Sequence, residues 1–129
     1  MGDLNFFLRN AASEERLLEL FERETGLACE SMDHLKEQAV ALLTSTSYDE
    51  GFRFGISLCW PQHLGTAKTL VQLAKALAAD LKEEVLFESE RSVSDSAAEE
   101  WLLVSPYDAD ARVVKIVELQ NGVDLAAHA

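Results

Sequence analysis

Cys59 and His63 are the residues with the clearest chemical potential in this sequence. Their Cys-x-x-x-His spacing can supply two ligands to a metal ion. A structural zinc site takes about four ligands, normally as two such pairs, and the second pair is missing. Pro61 also breaks the regular geometry between the two. As a nucleophile and base they lack a recognisable group to orient the imidazole. Cys59 therefore reads as a small packed side chain and His63 as a loop residue. Gly65-Thr66-Ala67-Lys68-Thr69 is like the end of a phosphate-binding loop. Such a loop needs glycine directly before the lysine and another five residues earlier, so that backbone amides can wrap phosphate. Ala67 and Gln62 stand at those positions, and Thr66 reads as a helix cap. Paired carboxylates recur at Glu14/Glu15, Glu83/Glu84, Glu99/Glu100 and Asp108/Asp110. A hydrolytic pair must converge from distant parts of a chain, which adjacency does not achieve. His34 and His128 have no partner that a motif identifies. The expectation is no catalytic residue, no metal and no cofactor.

The elements that would position these residues are legible in outline. Leu4 to Leu8 reads as a short strand. Ser13 is a suitable N-cap, and Glu14 and Glu15 suit the positive end of a helix. Leu17, Leu18, Leu20 and Phe21 give that helix its apolar side, and Gly26 is a natural stop with Leu27 packing back. A second helix is expected over Asp33 to Leu43, with Leu35, Ala39, Leu42 and Leu43 inward and Thr44–Ser47 as a polar loop. Phe52, Phe54, Ile56, Leu58 and Trp60 alternate with Arg53, Gly55, Ser57 and Cys59, which predicts a strand with one buried face. The small residues on its other face suggest close packing there, as by a helix. Pro61 ends it.

The spacing Ala67, Leu70, Val71, Ala74, Leu77, Ala78 and Leu81 predicts a helix from about Thr66 to Leu81. Lys68, Lys75 and Lys82 lie seven apart on its outer face, which reads as solvated, with a minor contact stripe as the alternative. Val85–Phe87, Trp101–Val104 and Arg112–Leu119 read as strands, with Trp101–Val104 apolar on both sides like a central strand. Pro106 to Asp110 and Asn121-Gly122 read as turns. The order predicts an α+β fold: one domain over residues 1–129, with an antiparallel or mixed sheet of about 4–6 strands packed against about 3 helices.

Composition narrows the function classes. The chain has 129 residues, enough for one domain that buries roughly two-thirds of its unfolded surface. Its 48% apolar content argues against disorder. With 23 acidic and 11 basic side chains, its formal net charge is −12. That argues against a protein that coats phosphate backbones, and it points to high solubility and to basic partners if the chain has partners. No basic, apolar leader and no run of about 18 apolar residues is present, so a cytoplasmic protein without a membrane span is expected. Cys29 and Cys59 are too few for a disulfide framework. They read as reduced thiols, with one Cys29–Cys59 bridge as the alternative.

The charge is unevenly placed. Asp80 to Glu100 holds eight acidic and two basic residues, a net −6. Ser89 to Ser96 within it has loop composition. The stretch reads either as a solubilising surface loop or as an acidic docking surface for a basic protein. In the second reading Glu83, Glu84, Glu88, Glu90, Asp95, Glu99 and Glu100 form the steering surface, while Phe87 and Trp101 belong to the core.

Asn5-Phe6-Phe7-Leu8 with Glu14–Phe21, Gly51–Ile56 leading into Leu73–Ala78, and Trp101–Pro106 followed by Asn121–Leu125 cover most of the chain. With these features the sequence resembles the small acidic immunity proteins of bacterial polymorphic-toxin systems, such as contact-dependent or type VI secretion systems. The resemblance implies a non-enzymatic inhibitor that occludes a toxin's active site. An acidic secretion chaperone or adaptor is the alternative. A small enzyme would need a pocket where carboxylates or His63 converge.

Overall fold

The structure is a computed structural model that describes residues 2–61, 69–88, 101–108 and 110–126. Among the described residues the chain forms two α-helices and two β-sheets. The elements are β1 (Gly2–Leu8), α1 (Glu14–Thr25), β2 (Cys29–Glu30), β3 (Ala41–Ser47), β4 (Glu50–Gly51), β5 (Phe54–Trp60), α2 (Leu70–Leu81), β6 (Val85–Glu88), β7 (Trp101–Val104), β8 (Arg112–Val114), β9 (Ile116–Leu119) and β10 (Gly122–Leu125). The larger sheet has the order β2-β3-β5-β1-β6-β7-β8, antiparallel except for the β2–β3 pair. The smaller has the order β4-β10-β9, with β4–β10 parallel. The fold is α+β with a mixed sheet, as expected. The strands outnumber the expectation and the described helices fall short of it.

The period-two pattern explains the layering. In β1, Leu4, Phe6 and Leu8 face the helices with Phe54, Ile56, Leu58 and Trp60 of β5. Both helices turn an apolar stripe to this face: Leu17, Leu18, Leu20 and Phe21 from α1, Leu70, Leu73, Ala74, Leu77 and Ala78 from α2. Phe6 is the centre of the layer, stacked on Phe21 at 6.3 Å and edge-on to Phe87 at 6.0 Å. On the opposite face the small sheet covers one end of the large one. Phe52, Leu86 and Leu103 are buried there, with Phe7, Trp101, Val114, Ile116, Val123 and Leu125 against them. β7 is thus apolar on both faces, because each face carries a layer.

Local chemistry sets the helix ends. The Ser13 side chain accepts from Arg16 N at α1, and Gly26 closes that helix in the left-handed conformation. α2 starts at Leu70 rather than Thr66. Thr69 caps it reciprocally with Gln72, which satisfies two otherwise orphaned amides. The expected cap at Thr66 lies outside the described residues. No described helix is long and apolar enough to cross a membrane.

Four expectations need correction. The helix over Asp33–Leu43 does not form. Residues 31–39 make turns, with Gln38 at a positive φ, and Ala41–Ser47 is strand β3. The helical spacing there is matched by only a few apolar residues, while Ala41 and Leu43 gain burial by alternation beside β5. Leu35, expected inside, is 76% exposed. Thr44–Ser47, expected as loop, is polar because it belongs to a solvent-facing strand. The Arg112–Leu119 strand is split at Lys115, where the chain leaves one sheet for the other. The turn expected at Asn121-Gly122 lies one residue earlier, since Leu119 pairs with Gly122. Gly122 serves close approach: a Cβ there would lie 2.2 Å from Glu50 O, and one on Gly51 would lie 2.1 Å from Val123 O.

Candidate protein-binding surface

Arg9, at the end of β1, organises the described part of the acidic region. Its Nη1 donates to Asp124 Oδ1 at 2.7 Å, its Nε is 3.9 Å from Glu84 Oε1, and its guanidinium lies 3.9 Å over the Phe52 ring. It ties β10 and the start of β6 to the second core. Glu83 accepts from Asn10 N at 3.0 Å. Asp80, at the end of α2, is bound by Arg16 at 3.1 Å and lies 3.9 Å from Arg23. A paired carboxylate contributes little net field at a distance, because its cation cancels it.

The expected steering residues therefore differ in what surrounds them. Glu83 and Glu84 are half-buried and engaged within the fold. Glu88 is exposed at the end of β6, paired in register with Trp101. Glu90, Asp95, Glu99 and Glu100 lie outside the described residues, as do His63, the Gly65–Lys68 stretch and His128. Phe87 is buried in the helix-side core, and Trp101, half-buried, packs against the second core.

A second acidic region lies where charge counting along the chain did not point. Between Glu30 and Glu50 there are five carboxylates and one lysine, Lys36. Lys36 is itself engaged by Glu22 on α1. That ion pair, with the bond Glu22 accepts from Cys29 N, holds the Glu22 carboxyl below its ordinary range. Asp33, Glu37 and Asp49 are exposed with no basic partner among the described residues. His34 faces Glu15 at 3.5 Å and Glu14 at 3.9 Å. Exposed apolar side chains concentrate in the same segment: Met32 and Leu35 are each 76% exposed, and Val40 and Leu42 are also exposed. The signal for this region was present as acidic and apolar residues, but the helix expected there would have turned Leu35 and Leu42 inward.

The part of the large sheet's back face that no described residue covers forms a shallow depression of about 90 Å³. Asn5, Thr44, Thr46, Ser57 and Gly55 line it, with Tyr48 and Phe7 as its wall. Gly55 of β5 thus faces Tyr48, whose ring is where a Cβ on Gly55 would point, and among the described residues no helix covers this side. The described lining holds hydroxyls and an amide but no carboxylate or imidazole.

The two thiols are free. Cys29 faces the helices and Cys59 the opposite side of the sheet, on strands separated by β3, so the alternative of a bridge is not realised. Burial pushes the Cys29 thiol up to about 11, and its Sγ–H donates to Leu27 O at 3.3 Å. Among the described residues no three His, Cys, Asp or Glu side chains gather as a metal site. No protein-family model, curated protein or solved structure matches this chain.

Proposed function

We propose that this chain is a non-catalytic protein-binding module, an acidic immunity protein that neutralises a basic toxin domain by covering its active site. The observation that carries the reading is an excess of unengaged carboxylate. Arg9, Arg16, Arg23 and Lys36 are taken up by internal ion pairs, and the other described cations, Arg53, Lys75, Lys82, Arg112 and Lys115, are outnumbered by carboxylates without a basic partner. Glu19, Asp33, Glu37, Asp49, Glu88 and Glu118 are exposed with no basic partner among the described residues. Such a field raises encounter rates with a basic partner by roughly 10–1000-fold and weakens with salt. Of the proposed steering residues Glu83, Glu84, Glu88, Glu90, Asp95, Glu99 and Glu100, Glu88 is exposed with no basic partner among the described residues, and Glu83 and Glu84 are engaged within the fold.

The test is affinity capture with the intact chain from extracts of its native cells, followed by mass spectrometry. A basic toxin domain, inhibited at equal molar ratio by the purified chain, is the expected result. Neutralising the seven carboxylates should slow association and flatten its salt dependence. Unchanged association would move the interface to another face. A captured domain that keeps full activity would refute the inhibitory role. The exposed Met32, Leu35, Val40 and Leu42 favour a second reading, an acidic secretion chaperone holding an extended effector segment. A homodimer bound to an unfolded effector would establish that reading instead.

A further inference from the structure

β3 lies beside a lane that no described strand fills beyond β2. Its neighbour β2 pairs only Cys29 with Ala41 and Glu30 with Leu42. Alternation along β3 sets which backbone groups face that side. Ala41 N donates outward to Ala28 O at 3.1 Å, whereas Tyr48 N donates inward, across the β5 side, to Arg53 O at 2.7 Å. Even-numbered residues therefore turn their amide and carbonyl to β5, and odd-numbered ones turn theirs outward. Beyond the end of β2, Ser45 and Ser47 present an N–H and a C=O each to a side that no described strand fills. Thr44 to Ser47 are all exposed. The edge carries no proline or lysine, the residues that usually block pairing by another strand.

We infer that the β3 edge from Leu43 to Ser47 is a docking site for an extended, basic segment of a protein partner, which adds to the large sheet as a further strand. The lane is about 17 Å long at roughly 3.4 Å per residue. Main-chain hydrogen bonds to Ser45 and Ser47 would supply affinity, as in other strand-addition complexes. The surroundings select the occupant by charge. In the chain, Glu30, Asp33 and Glu37 lie at and just after the end of β2, which stops beside Leu42, and Asp49 and Glu50 follow the far end of β3. Against them stand Lys36, already engaged by Glu22, and Arg53 at the far hairpin. A second copy of the chain is disfavoured. Antiparallel pairing of two β3 edges would set the acidic Glu30–Glu37 end of one copy against the acidic Asp49–Glu50 end of the other. Met32 and Leu35, exposed beside the start of the lane, add apolar contact. The inference rests on the basic-partner reading above and gives that partner a conformation.

The probe is a blocked peptide of alternating lysine and valine, titrated into the intact chain and followed by backbone amide NMR. Its counterparts carry glutamate for lysine, or N-methyl groups on alternate amides. The basic peptide should bind, shift the Ser45 and Ser47 amides and slow their exchange, while both counterparts should fail. Ser45→Pro removes one outward N–H at an edge position that tolerates proline, and should weaken binding about tenfold. Its fold is checked by circular dichroism, and the wild-type amide shifts decide the matter if that variant does not fold. Unchanged affinity in a folded Ser45→Pro, or shifts confined to other strands, overturns the edge site while leaving the basic-partner reading in place. Equal binding of the glutamate peptide overturns both. No binding of the basic peptide, or a dimer in sedimentation that Ser45→Pro abolishes, overturns the edge site as assigned.

Discussion

Replacing Arg9 should loosen the small sheet before the rest of the molecule. The side chain is about one-third exposed, as is Asp124, so their 2.7 Å ion pair must be discounted for solvent screening. We assign it about 1 kcal/mol. The guanidinium over Phe52 adds about 0.5–1 kcal/mol. The Glu84 contact at 3.9 Å adds little. Arg9→Ala should therefore cost about 2 kcal/mol, a fall of roughly 5–10 °C in Tm for a chain of this size. Arg9→Met, which keeps an apolar stem over Phe52, should lose about half as much. Equilibrium denaturation measures the total, and hydrogen exchange locates it. Amides of β9 and β10 should lose protection in Arg9→Ala, while those of β1 and β5 keep theirs. An unchanged denaturation midpoint, or a loss of protection spread evenly over both sheets, would refute the idea that Arg9 clamps the second layer.

Three further outcomes are expected. Thr69→Ala removes the hydroxyl that accepts from Gln72 N, while the backbone N–H at that position can still donate to Gln72 Oε1; it should cost about 1 kcal/mol by denaturation, whereas Thr69→Ser should restore most of it. In native protein near pH 8 an alkylating reagent should label Cys59 well before Cys29, because Cys29 is buried and its thiol is held near 11; peptide mapping with equal labelling of both would count against this. Glu22 is held below its ordinary carboxylate range by Lys36 and Cys29 N. Its contribution is complete above that range and is lost as the pH falls through the lowered value. Glu22→Gln should therefore be less stable than the parent at neutral pH, with the gap closing under acid conditions. A gap that persists at the lowest pH would mean that the loss is not ionic.

The local instructions in this chain were strong where one residue type had one physical use. Ser13, Glu14, Glu15 and Gly26 delimit α1 through caps and dipole, which depend on a few neighbouring residues only. The five apolar residues of Phe52–Trp60 predicted the central strand, although Phe52 itself belongs to the second core and β5 begins at Phe54. The acidic stretch after Asp80 was visible as a count. Counting did not show that Asp80, Glu83 and Glu84 are engaged by groups 57 or more positions away in sequence.

The sequence by itself therefore determined the α+β class, the two helices, the alternation that builds the main core and the sign of the surface charge. Each follows from short-range periodicity, capping or composition. Only the tertiary structure decided the state of Ala41–Ser47, because its weak helical spacing lost to pairing with β5. It likewise decided the role of Gly122, set by the approach of Glu50 rather than by a turn. The exposed β3 edge was beyond sequence reasoning for the same cause. Whether a strand's outward groups are paired depends on where its neighbour stops, and here β2 stops at Glu30.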